Sequence, residues 1–181
     1  MKHVAFLRAI NVGGHTVKME RLRELFDELE VADVETFIAS GNVIYTADRR
    51  TPGAMQNAIE AHLQKALGYE VTTFVRTDRE LAEVAALDPF PEIELVRPDV
   101  LWVGFLQRRP AKGVRDNMAA LQTPTDLFQV DGREVYWLRR RSLGESVVTG
   151  AQLARALGMP TTTRNVNTIQ RLTAKYPPAP G

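Results

Sequence analysis

Residues 4–10, Val-Ala-Phe-Leu-Arg-Ala-Ile, run straight into Asn11-Val12-Gly13-Gly14, and no other stretch constrains the fold as much. The run is apolar apart from Arg8, too short for a membrane span and suited to a strand buried on both faces. A guanidinium carries several donors and is rarely buried without a partner, so Arg8 marks an end from which a side chain reaches out. Asn11 and the glycine pair then place an amide and two unhindered backbones at the strand's carboxyl end. Ligands often collect at such ends.

Downstream, the hydrophobic spacing sets a simple order. Met19, Leu22, Phe26 and Leu29 recur at helical spacing, with Thr16 as a candidate cap. Residues 34–39 and 43–46 are β-rich runs joined by Ser40-Gly41-Asn42, a turn signal. Thr51-Pro52 opens a second helix, faced by Met55, Ile59 and Leu63 and stopped by Gly68. Residues 71–76 form a fourth strand. Strand–helix–strand–strand–helix–strand is the ferredoxin-like split βαβ pattern, so 1–77 reads as a ferredoxin-like α+β unit.

Thr77-Asp78-Arg79-Glu80 has capping-box spacing and starts a helix that Pro89 and Pro91 cannot continue. Residues 78–98 therefore read as a connecting helix and a proline-rich linker. Residues 100–106 form another strand, and Pro110 opens a helix carrying Val114, Met118 and Leu121. Two strands then flank the hairpin turn Asp131-Gly132. Thr149 to Gln152 repeats the capping-box spacing ahead of a helix that Gly158 closes. The second unit, 99–176, reads as a smaller βαββα without a last strand, followed by a C-terminal helix bearing Ile169, Leu172 and Tyr176. Residues 177–181 are a proline-rich tail expected to be disordered.

The split βαβ order puts the loop after the first strand and the turn between the second and third at one end of the sheet. Arg8, Asn11, Gly13, Gly14 and His15 are thereby expected near Ser40, Gly41 and Asn42, a polar rim suited to an anion. By the same logic Gln107-Arg108-Arg109 and Asp131-Gly132-Arg133 share one end of the second unit, where arginines can hold phosphate or simply be solvated. Residues 161–168 pack hydroxyls, amides and Arg164 in front of a helix start, with Asn165 and Asn167 among them. Arg139-Arg140-Arg141 follows Tyr136-Trp137, a stacking surface in outline, although strand alternation favours Trp137 in the core.

Composition narrows the chemistry. With no Cys in 181 residues, disulfides and thiolate chemistry are excluded. The three histidines are scattered, no metal site is expected, and only His15 falls near the rim as a candidate base. No phosphate-loop, dinucleotide-binding, nucleophile-elbow or zincin motif occurs, and no cofactor is called for. No signal peptide or membrane-length run is present, so a cytoplasmic protein is expected. Charge is uneven: residues 91–181 carry 13 Lys/Arg against 8 Asp/Glu, a field that favours phosphate-bearing partners toward that half.

Residues 6–14, 37–43, Asp88-Pro89-Phe90-Pro91 and 162–168, taken together, resemble a bacterial family of uncharacterised proteins, domain of unknown function 1697. The resemblance implies a cytoplasmic α+β protein built on ferredoxin-like units and supplies no established activity. Its recurring polar positions fall on Arg8, Asn11, Gly13, Gly14, Ser40, Gly41, Asn42, Arg164, Asn165, Asn167 and Thr168. Ala9 stands where the family usually has Gly, and Val166 where it usually has Trp. Gly144-Glu145-Ser146-Val147 resembles a segment that typically reads Gly-Arg-Ser-Lys, so two basic residues are missing here.

Three functions fit these residues. One is binding of a phosphate-bearing small molecule or nucleic acid at a polar rim between the two units, through Arg8, Asn11, Gly13, Gly14, Ser40, Asn42, Arg164, Asn165 and Asn167. The second is an enzyme acting on a small phosphorylated or carboxylated substrate. The third is an interaction or structural module in which these groups satisfy one another.

Overall fold

The computed structural model describes residues 1–11, 14–38, 41–47 and 51–179. The chain divides into two compact units, one comprising Met1–Glu83 and the end of the chain from Arg171, the other Val84–Gln170. The divisions fall within α3 (Asp78–Ala86) and α6 (Val166–Lys175). Among the described residues no helix is long and apolar enough to cross a membrane.

The first unit is built from β1 (Lys2–Leu7), α1 (Met19–Asp27), β2 (Ala32–Thr36), β3 (Asn42–Thr46), α2 (Pro52–Leu67) and β4 (Thr73–Thr77). Its sheet has the order β2-β3-β1-β4, with all neighbours antiparallel. β1 lies between β3 and β4, which is why its apolar run is buried from Val4 to Leu7. Leu22, Leu25 and Phe26 of α1 and Met55, Ile59 and Leu63 of α2 pack on Ala5, Leu7, Val43, Tyr45 and Val75 to form the core.

Local chemistry accounts for the boundaries. Thr51 accepts a hydrogen bond from Ala54 N, Pro52 occupies the first helical position, and Gly68 closes α2 in the left-handed conformation. Thr77 and Glu80 form the expected reciprocal cap of α3, with Thr77 N donating to Glu80 Oε2 at 2.8 Å and Glu80 N to Thr77 Oγ1 at 3.1 Å. Two expectations shift. β1 ends at Leu7 rather than at residue 10, because Ala9 turns the chain with φ of +63°. α1 is preceded by Lys18 rather than capped by Thr16, since Asn11 Oδ1 takes the N–H of Val17.

The second unit comprises β5 (Val100–Phe105), α4 (Val114–Leu121), β6 (Asp126–Asp131), β7 (Glu134–Arg139), α5 (Gly150–Leu157) and β8 (Thr162–Asn165). Its sheet order is β6-β7-β5-β8, again entirely antiparallel. Val114 and Met118 of α4 and Leu153 and Leu157 of α5 cover Leu106, Phe128, Val135 and Trp137. Thr149 and Gln152 make the second capping box. β8 corrects the expectation of a unit without a last strand: Trp102 to Phe105 of β5 pair with Asn165 to Thr162. α4 begins at Val114, four residues later than Pro110 suggested.

The two units repeat one another in register as well as in order. Leu7 N donates to Gly41 O in the first, and Leu106 N to Arg133 O in the second. Counting back along each first strand, Val4 faces Arg76 on β4 and Val103 faces Arg164 on β8. Each of these arginines is buried and donates from Nη1 to the carbonyl of the preceding residue.

Candidate functional site

In the first unit, the loop after β1 and the β2–β3 turn do lie at one end of the sheet. A Cβ on Gly41 would sit 2.7 Å from Ile10 Cγ2, so the glycine, with φ of +71°, allows the two loops to touch. Ile10, 3% exposed, fills that junction. The polar residues largely close the loops themselves. Asn11 Oδ1 accepts from Val17 N at 2.7 Å, and buried Asn42 donates from Nδ2 to Phe37 O at 2.9 Å. Gly14 is exposed in the left-handed conformation, and His15 stacks on Tyr69 with ring centroids 3.8 Å apart. Gly13 and Ser40 lie outside the described residues, as does Ala39, the expected end of β2.

Arg8 differs from these. Its backbone N–H bonds to Thr72 O at 2.9 Å, while its side chain is exposed and has no hydrogen-bond or ion-pair partner among the described residues. The backbone is strained on both sides of this corner, at Ala9 (φ +63°) and Ile38 (φ +58°). Non-glycine residues in that region gather where the surrounding structure holds them for a purpose.

Arg164, Asn165 and Asn167 belong to the second unit. Arg164 is 9% exposed and donates from Nη1 to Thr162 Oγ1 and Thr163 O, both at 2.9 Å. Burial pushes its guanidinium down to about 10, still cationic at neutral pH. Asn165 Oδ1 accepts from Asn167 N at 2.9 Å, an Asx turn at the start of α6, and the Asn167 side chain is exposed.

The corner of the second unit that corresponds to Arg8 holds Gln107, Arg108 and Arg109. There Arg108 and Arg109 line a cleft of about 520 Å³. Gly113, Val114 and Asn117 of the α4 start form one side and Gly158 and Met159 beyond α5 the other. Both arginines are exposed, and neither has a hydrogen-bond or ion-pair partner among the described residues. Gly113 offers no side chain to cap α4, and the N–H groups of Val114 and Asn117 are taken by Ala111 O at 3.1 Å and Gly113 O at 3.4 Å, so the start of α4 contributes the positive end of its dipole. Asn117 donates from Nδ2 to Ala156 O at 3.2 Å and ties α4 to α5. Asp116, in the same turn, does not line the cleft. Two guanidinium forks on one concavity, beside the positive end of a helix, suit an oxyanion.

Sequence spacing brought the arginines to this end of the sheet but missed the α5 contribution. Gly158, read only as the stop of α5, was the available signal.

These features define an α+β protein of two repeated units, each a four-stranded antiparallel sheet carrying two helices on one face. The chain belongs to the family described as protein of unknown function (DUF1697), whose model matches residues 1–136. The stretch 162–168 lies beyond the matched residues. No curated protein matches the chain. Among solved structures it is similar to the conserved bacterial protein SP0830 from Streptococcus pneumoniae, at 18% identity and a TM-score of 0.71, over 96% of this chain and 97% of that one. At that identity the likeness speaks for the fold.

Proposed function

We propose that the protein binds a phosphate-bearing ligand and that the cleft of the second unit holds the phosphate between Arg108 and Arg109. The reading takes each unit as a ferredoxin-like βαββαβ fold, with its ligand corner at the carboxyl end of the first strand. One observation carries it: two guanidinium groups with no hydrogen-bond or ion-pair partner among the described residues line one cleft at the start of α4. Arg8 occupies the matching corner of the first unit and is the alternative anchor.

Inorganic phosphate and mononucleotides are expected to raise the melting temperature by mass action. Each charge-assisted contact is worth about 1.5–3 kcal/mol, so Arg108→Ala combined with Arg109→Ala is expected to weaken binding about 100-fold or more. A loss produced by Arg8→Ala instead would move the site to the first unit. An oligonucleotide ligand would add a steep fall of affinity with salt, since neutralised phosphates release counterions. No phosphate effect on any variant would refute the reading.

A further inference from the structure

The Arg108–Arg109 cleft continues into a second hollow of about 430 Å³ along the seam between α4 and α5, the two sharing Asn117 and Ala156. Ala120, Leu121 and Ala156 give this extension an aliphatic lining. Gln152 and Arg155 of α5 line it as well. The Gln152 amide is oriented by its cap: Oε1 accepts from Thr149 N at 2.8 Å and from Thr149 Oγ1 at 3.0 Å. A backbone N–H can only donate, so Oε1 must face Thr149 and the Nε2 donors turn away from it. Arg155 is exposed and has no partner among the described residues. From Val114 to Leu121 the helix rises about 10 Å, which sets the distance from the cationic end to the donor end.

We infer that the ligand is an aliphatic phosphate monoester about 10 Å long, with its phosphate between Arg108 and Arg109 and a carboxylate or carbonyl at the far end. This assignment rests on the phosphate reading above and adds the body of the molecule. The trough has arginines in both hollows and aliphatic side chains along the seam, and no aromatic ring lines either hollow among the described residues. A nucleobase draws much of its protein affinity from stacking on such rings, whereas a methylene chain needs only apolar surface to cover.

The test is calorimetric titration of the full-length chain with inorganic phosphate, methyl phosphate, butyl phosphate, 6-(phosphonooxy)hexanoate and adenosine monophosphate. The hexanoate ester is expected to bind about tenfold or more tightly than methyl phosphate, with butyl phosphate between them. Arg155→Ala should erase the advantage of the hexanoate ester over butyl phosphate and leave inorganic phosphate unchanged. Ala120→Glu, at an exposed position, should block both longer esters while sparing phosphate. Equal affinity for every ester, or tighter binding of adenosine monophosphate, overturns the aliphatic assignment and leaves the phosphate site standing. Absence of phosphate binding, or binding indifferent to the loss of Arg108 and Arg109, removes the site itself.

Discussion

Ala9 shows how one residue records the demands of its corner. Its φ of +63° lies in the left-handed region, where an L side chain costs about 1–2 kcal/mol and glycine costs little. The family resemblance leads one to expect glycine at this position, and the geometry supplies the reason: the chain must turn sharply between the end of β1 and Asn11. Ala9→Gly is therefore expected to stabilise the protein. The strain relieved is partly offset by the greater freedom of glycine in the unfolded chain. The net gain should be about 0.5–1 kcal/mol, seen as a rise of roughly 1–3 °C in the melting temperature. A lower melting temperature would show that the alanine methyl makes contacts worth more than the strain. Ile38 carries the same conformation with a branched side chain, on the turn that meets Ile10 through Gly41.

Among the elements, β2 is the least regular. It is an edge strand whose pairing with β3 shifts between Ala32 and Glu35, with Asp33 at φ of +54°. The end of the chain fastens to it. Lys175 Nζ donates to Glu35 Oε2 at 2.9 Å and Tyr176 Oη to the same oxygen at 2.6 Å. These bonds, that from Tyr176 foremost, hold the Glu35 carboxyl below its ordinary range. A carboxylate with a folded-state pKa below its unfolded value stabilises the protein above the unfolded value, near 4.5. That contribution is lost as pH falls through the folded value. Because the Glu35 side chain is 46% exposed, solvent screening keeps it to about 0.2–1 kcal/mol. Glu35→Gln should lower the stability at pH 7 by that amount, and the gap to the parent should close as pH falls below the ordinary glutamate range. A gap that stays constant with pH would mean the glutamate acts by packing alone.

Capped helices were the most legible elements, because Thr51, Thr77 and Thr149 each satisfy N–H groups within four residues of themselves. β8 was not legible. Thr162-Thr163-Arg164-Asn165 is as suitable for a cap as for a strand, and only pairing with the distant β5 makes it one. The same limit governed the polar clusters. Nothing local in the sequence tells that Asn11 and Asn42 turn inward to close their own loops, while Arg8, Arg108 and Arg109 have no hydrogen-bond or ion-pair partner among the described residues.

For the molecule as a whole, the repeat sorts its arginines into two kinds. Arg76 and Arg164 occupy equivalent ladder positions, are buried, and bond to the carbonyl just before them. Arg8, Arg108 and Arg109 follow the first strand of their units and are exposed. Burial of a cation is tolerated when its donors are satisfied, and removing it leaves acceptors unpaired and a cavity the length of its stem. Arg76→Ala and Arg164→Ala are each expected to cost about 2–4 kcal/mol in urea denaturation. Methionine at either position fills the stem volume and should recover part of that loss. Arg108→Ala should shift stability by no more than about 0.5 kcal/mol, as for a surface residue outside any network, while weakening phosphate binding. The crossed result, with Arg164→Met folded but blind to phosphate and Arg108→Ala fully competent, would place the ligand against the buried arginine. The repeat would then have marked a binding position where the geometry assigns a structural one.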